Sequence, residues 1–267
     1  MSNDIEKDFN LGGSIERALS GKYELKAGDV LKEAWNHTVK NFLSFSPAIV
    51  LLIVLQFAIF FLALKLQLGN PGVIIDAFTS PDAFDPSIIN AIMVANFSYE
   101  VVSAPIYAGI SLMAMSHAAG LATKPRHIAK GLQFTIPVII ATLASLVLQG
   151  VASMLLPFLS LYLSLAFSNS ILLICEKQVP PMQSLLLSLR AVNKKILPLA
   201  AIYFFISIMF VIGVMFYGLG LIFVMPFFFH AKGIIYRNMF GIKLKIIASD
   251  RPKDEDDNDN DSQVFNA

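Results

Sequence analysis

Few side chains in this sequence could do chemistry, and the most suggestive of them border long apolar runs. Glu100, His117 and His230 are the leading examples. A carboxylate held away from water could bind a cation or exchange a proton, and two imidazoles could share a metal. Nothing beside either histidine supplies the further ligands a metal site needs. Glu100 falls at the outer start of an apolar run, where water or headgroups would solvate it. On one helix His117 would lie roughly 25 Å from Glu100 at 1.5 Å per residue, too far for an acid–base pair. His37 and His127 fall on polar faces of short helices. Cys175 is the only cysteine, so neither an internal disulfide nor a Cys-based zinc site can form. There is no H-E-x-x-H, no G-x-S-x-G and no phosphate-binding glycine loop. The pair Gly12-Gly13 before Ser14 lies in a polar segment with no strand expected ahead of it. These residues assign no catalytic, cofactor or metal site, and the expectation is a protein that is not an enzyme.

Uncharged polar residues within the runs invite two readings. Gln56, Gln149, Ser153, Ser168, Asn169 and Ser170 could tie helices together by hydrogen bonds. Alternatively, Gln149 and Asn169 could line a polar path through the membrane. Small residues four apart, Ala104/Ala108, Ala114/Ala118 and Ala141/Ser145, would let helices approach closely.

The elements that must position these groups follow from composition. Hydrophobic residues make up 56% of the 267 and charged residues only 15%. Mean hydropathy is +0.67, far above that of a water-soluble domain. A bilayer core of about 30 Å needs about 20 apolar residues per helix, and the runs divide into six spans at about 45–64, 101–120, 134–155, 157–175, 196–217 and 219–237. Leu156-Pro157 and Gly218-Leu219-Gly220 are the breaks that split the two longest runs. Ile88–Tyr99 reads as a separate interfacial helix on the outer side. Every Lys and Arg of the 20 except Lys65 falls in segments that an even-span fold gathers on one face, and basic loops stay cytoplasmic. The expected fold is therefore an all-α integral membrane protein with six transmembrane helices, short amphipathic helices on the cytoplasmic face, and both termini cytoplasmic. Residues 1–23 read as a polar N-terminal tail, 24–249 as the membrane domain and 250–267 as an acidic, disordered tail.

The inward connections repeat one design. In Asp29–Phe42, apolar Val30, Leu31, Ala34, Trp35 and Val39 recur at helical spacing opposite Lys32, Glu33, Asn36 and Lys40, with Asp29 as N-cap. Pro181–Ile196 carries a similar stripe opposite Arg190 and Lys194, and a shorter version follows Pro125. Pro47, Pro137 and Pro198 mark the first turns of the odd spans. Three units emerge, each an interfacial helix followed by a hairpin. Trp35, Lys32, Lys40, Arg190, Lys194 and Arg237 are the expected contacts with anionic lipid headgroups or a membrane protein partner, which could be a second copy of the chain. No feature points to nucleic acid.

Two stretches carry a family resemblance. Gly109–Lys130, then Ile174-Cys175-Glu176-Lys177-Gln178-Val179-Pro180-Pro181 with Ser184, Ser188, Arg190 and Asn193, are the first. Tyr236-Arg237-Asn238-Met239-Phe240-Gly241 is the second. Over residues 25–245 the chain resembles stand-alone six-span inner-membrane proteins of Gram-negative bacteria, grouped near the membrane domain of some glycerophosphoryl diester phosphodiesterases. Asn238 stands where that pattern has Asp. The resemblance implies a fold and a bacterial inner-membrane location, and no catalytic residue. A non-enzymatic protein acting through lipid or protein contacts is the leading expectation. A small-solute transporter or channel is the alternative, favoured by a hydrated cavity beside Gln149 and Asn169.

Overall fold

The computed structural model describes residues 5–74, 76 and 85–248. The acidic stretch 250–267 lies outside the described residues. The chain is nearly all helical. A strand β1 (Ile5–Leu11) and a short helix α1 (Ile15–Ser20) precede α2 (Ala27–Lys40) and α3 (Phe42–Leu68). Then come α4 (Pro86–Ala118), a 3-10 helix (Pro125–Phe134), α5 (Thr135–Leu155), α6 (Pro157–Ala166) and α7 (Ser170–Lys177). The chain closes with α8 (Pro181–Lys194), α9 (Ile196–Met215), α10 (Leu221–Phe240) and β2 (Ile242–Ala248).

Among the described residues, five helical segments are long and apolar enough to cross a bilayer: Phe42–Leu68, Pro86–Ala118, Pro125–Leu155, Pro157–Lys177 and Ile196–Met215. The protein is a multi-pass membrane protein. α10 matches α9 in length at 20 residues, but His230, Lys232 and Arg237 dilute its apolar character. It is also the helix whose second half is most completely enclosed, from Phe229 to Tyr236 without a break. α2, α3, α4 and α9 pack around it. By contrast, α3, α5 and α9 turn rows of large apolar side chains outward, among them Phe57, Phe61, Val147, Val151, Phe204 and Val211. Lipid is the solvent that such faces suit.

Several expectations change. The outer interfacial helix and the second span are one continuous α4 of 33 residues. Asp85 caps it by accepting from the Ser87 N–H at 2.9 Å, and Pro86 occupies the first turn, so the helix starts well before the bilayer. At about 1.5 Å per residue α4 is about 50 Å long and must protrude. α3 protrudes with it, joined through Leu64, Ala91 and Ala95. The expected fourth span bends at Phe167–Asn169, where Ser188 on α8 donates to the Ala166 carbonyl at 2.6 Å and accepts from the Asn169 N–H at 3.3 Å. Asp29 lies in the first turn of α2, whose cap position is Lys26. The connection after Pro125 is a 3-10 helix.

The N-terminal segment is no tail. β1 pairs antiparallel with β2, from Ile5 opposite Ala248 to Leu11 opposite Ile242. A strand thus does precede Gly12-Gly13. The pair seats the chain on the end of α10: the Gly13 N–H donates to the Arg237 carbonyl at 2.9 Å, and a Cβ on Gly13 would come within 2.2 Å of the Met239 carbonyl oxygen. Ala18, Tyr23 and Leu25 are buried, and the Tyr23 hydroxyl donates to the Ala191 carbonyl at 3.0 Å. Sequence alone hid this because each partner lies far along the chain.

Helix contacts are closest where glycine permits. The 3-10 helix lies on α4 through Gly131 and Gly109; a Cβ on Gly131 would come within 2.1 Å of the Pro105 carbonyl oxygen. Gly150 on α5 has nothing within 4 Å of such a Cβ. Gly131→Ala should therefore lower thermal stability in detergent, by roughly 1–3 kcal/mol. Gly150→Ala should be neutral or stabilising by roughly 0.5–1 kcal/mol. Equal melting temperatures for the two variants would show that the 3-10 helix is not held at that distance.

Candidate functional site

Two groups of polar side chains occupy the interior, and each draws on helices far apart in sequence. The first lines a cavity of about 300 Å³ between α3, α4, α5, α6, α7 and α10. Gln56 enters from the middle of α3 and donates to the Ser103 hydroxyl of α4 at 3.2 Å. Gln149 enters from α5 and donates to Ser145 one turn earlier at 2.8 Å. Ser164, Ser168 and Ser170 face it around the bend between α6 and α7. Thr142 also lines it, and its buried hydroxyl has no hydrogen-bond partner.

Two charged residues complete the wall. Glu100 approaches from α4, and Lys232 from α10. Lys232 had been grouped with the inner-face basic residues; instead it is only 4% exposed. The next residue explains why it cannot turn outward. Gly233 sits against α4, where a Cβ would fall 2.8 Å from the Ala114 carbonyl oxygen. That contact fixes the face of α10 which meets α4. The Lys232 ammonium donates to the Tyr107 hydroxyl at 2.9 Å and lies 4.4 Å from the Tyr107 ring centre. Among the described residues, no carboxylate forms an ion pair with it.

Of the three expected intramembrane polar residues, the cavity gathers Gln56 and Gln149 but not Asn169. Asn169 is fully buried behind the wall, its amide nitrogen 3.8 Å from the Met239 sulfur. Glu100 is exposed, as a residue at the outer boundary would be, and also lines the cavity that Lys232 enters.

The second group lies where α2 and the ends of α4 and α10 meet. His117 and His230, expected at the membrane interface, are each 1% exposed and joined Nδ1 to Nε2 at 2.8 Å. The chain extends both ways: Thr38 on α2 is 3.0 Å from His230 Nδ1, and Thr123 is 2.8 Å from His117 Nε2. Its polarity can be worked out. The Thr38 hydroxyl gives its proton to the Ala34 carbonyl at 2.8 Å, so it must accept from His230 Nδ1–H. His230 Nε2 then accepts from His117 Nδ1–H, and His117 Nε2 from Thr123. Both neutral rings carry the proton on Nδ1. Phe45 covers both rings, and His37 stacks on His230 with centres 6.0 Å apart. Sequence reading missed this cluster, because its members come from four separate segments.

Beside it, Arg237 is turned into the protein. Its guanidinium forms a two-pronged pair with Glu33 of α2 at 2.6 and 2.9 Å and donates to the Ala118 carbonyl at 2.8 Å. Asn238 adds its side-chain oxygen, which accepts from Arg237 at 3.0 and 3.2 Å. The two motif stretches also meet directly: the Tyr236 hydroxyl donates to Glu176 at 2.7 Å, and the other Glu176 oxygen accepts from the Lys243 N–H at 3.0 Å. The remaining expected surface contacts, Lys32, Trp35, Lys40, Arg190 and Lys194, are all exposed. Trp35, 51% exposed, leans edge-on toward Phe227.

Hydrogen bonding from His37, reinforced by Arg237, holds the Glu33 carboxyl down at about 2, against partial burial that pushes it up. A carboxyl that titrates lower when folded stabilises the fold above its ordinary range, and that contribution fades as pH falls from 4.5 toward about 2. Melting temperatures in detergent should drop between about pH 5 and about pH 2, and Glu33→Gln should flatten that drop. An unchanged acid limb in the variant would show that other carboxylates govern it. Comparison with known proteins adds no relative: no family model, curated protein or solved structure matches the chain.

Proposed function

We propose that this chain is a six-crossing, non-enzymatic protein of a bacterial inner membrane that binds a small polar solute in the cavity between α3, α4, α5 and α10. The polar cavity carries the reading. Gln56 and Gln149 each lie about 21 Å along their helices, which is within a hydrocarbon core of about 30 Å and about two-thirds of the way across it. Polar and charged residues at that depth are costly and mark solute or ion pathways. A site of this kind fits the carrier or channel alternative better than contact through the surface alone.

Topology is part of the same proposal. Pairing of β1 with β2 supports the reading that both ends of the bundle's chain lie on one side of the membrane, and with it an even number of crossings. Five apolar segments plus α10 make six. The basic residues of α2, the 3-10 helix and α8 then share that side, supporting a cytoplasmic location for both ends. Exposed Trp35 and Val39 beside Lys32 and Lys40 support a second role for α2, as a seat on anionic lipid headgroups.

Two experiments test this. A fluorescent protein fused at the C-terminus should glow, whereas alkaline phosphatase fused there should be inactive. Active phosphatase would reverse the orientation. For the cavity, a thiol introduced by Gln149→Cys in membranes should react with small hydrophilic thiosulfonates, while one introduced by Val151→Cys on the lipid face should not. The native thiol of Cys175 is buried, so the parent protein is the blank. An inert thiol at position 149 would overturn the solute site.

A further inference from the structure

We infer that the cavity is bipolar and holds a zwitterion, with an oxyanion (carboxylate or phosphate) on Lys232 and an ammonium group toward Glu100. This rests on the solute-binding reading above and adds the class of ligand. Three observations carry it. Lys232 is enclosed, held on its face by the Gly233–Ala114 contact, and has a neutral tyrosine hydroxyl as its hydrogen-bond partner. Among the described residues no carboxylate pairs with it, although a buried cation without a counter-charge is expensive. The hydroxyls of Ser145, Ser168 and Thr142 line the same space, and that of Thr142 has no partner. Such donors complete an oxyanion site when the anion arrives.

The third observation is the position of the opposite charge. Glu100 lines the same cavity but forms no ion pair with Lys232. Glu100 and Tyr107, whose hydroxyl accepts from Lys232, stand on one helix two turns apart, about 10.5 Å of helix rise at 1.5 Å per residue. A ligand with one charge-assisted contact at each end is therefore a short one. Phosphoethanolamine, with its two charged groups separated by two methylenes and an ester oxygen, is of that kind, and an α-amino acid is shorter still. A dianion of that length would set one end against Glu100. The phosphoethanolamine group could come free in solution or as the headgroup of a phospholipid.

The test uses the full-length protein in detergent, with L-alanine, phosphoethanolamine and dihexanoyl phosphatidylethanolamine as probes, and succinate and choline as controls. At least one zwitterion should slow alkylation of the thiol introduced by Gln149→Cys, about tenfold at about ten times its Kd. The same probe should raise the melting temperature of the parent protein. Protection should vanish with Lys232→Met and weaken with Glu100→Gln. Lys232→Met should also leave the ligand-free melting temperature unchanged or higher, since it removes a buried charge from a site built for a partner. A lysine that merely braced Tyr107 would show the opposite. Protection by a free zwitterion identifies a solute as the source, and protection by the lipid form alone identifies a headgroup. Absence of protection by all three zwitterions, or equal protection by succinate, overturns the bipolar site. Should Lys232→Met fail to fold, protection in the Lys232 background and its weakening in Glu100→Gln still decide. If the position-149 thiol reacts yet no zwitterion protects it, the hydrated cavity stands and only the ligand assignment falls.

Discussion

The structure depends on one constraint: α10 carries too much polarity to face lipid. His230, Lys232 and Arg237 lie on a helix whose first half, Leu221 to Phe229, is almost wholly apolar. In hydrocarbon each polar group would need a partner, so the bundle encloses the helix and supplies one for each. α2 brings Thr38 to His230 and Glu33 to Arg237, while α4 brings His117, the Ala118 carbonyl and Tyr107. The close helix contacts follow from the same demand. Gly233 against Ala114, and Gly13 against the end of α10, let backbones approach closely enough for short side chains to reach.

Enclosure also divides the helices by role. α4 and α10 form the inner pair, with buried alanines at 104, 108, 114 and 118 on α4. α3, α5 and α9 form the outer wall and present Phe and Val rows to lipid. The cavity lies where these layers meet, so its polar residues come from both. Each polar group on the outer wall is partly satisfied by its neighbours, as Gln56 is by Ser103 and Gln149 by Ser145. Lys232, from the inner pair, is the one cation in the cavity wall among the described residues.

Element boundaries were largely legible, because apolar runs and proline or glycine breaks are local signals. Pro157 opens α6, and Tyr217 and Gly218, both with positive φ, form the turn before α10 as the glycine pattern suggested. The candidate site was half legible. Gln56 and Gln149 stand out as polar residues amid apolar ones, and both reach the cavity. Lys232 did not stand out, because a basic residue near the end of a span reads as an interfacial anchor; only the packing of α10 shows that it is enclosed. Asn169 looked equivalent to Gln149 but points behind the wall, since helix orientation is set by neighbours and not by residue type. The His117–His230 chain and the β1–β2 ribbon were illegible for a simpler reason. Their partners lie more than a hundred residues apart, and no local pattern encodes a pairing at that distance.

The β1–β2 ribbon has a consequence for assembly. Ile5–Leu11 leave the ribosome before any of the helices described above, while Ile242–Ala248 follow α10. The β1 strand must therefore wait, unpaired, until α10 has been made, and contacts of such long sequence separation form slowly. During that interval Gly12-Gly13 also lacks its seat, because the end of α10 does not yet exist. Closure of the ribbon is thus available as a final step in biogenesis, one that registers whether every intervening helix has reached its place. A chain with one helix inserted the wrong way would strand its two ends on opposite sides of the bilayer, unable to meet.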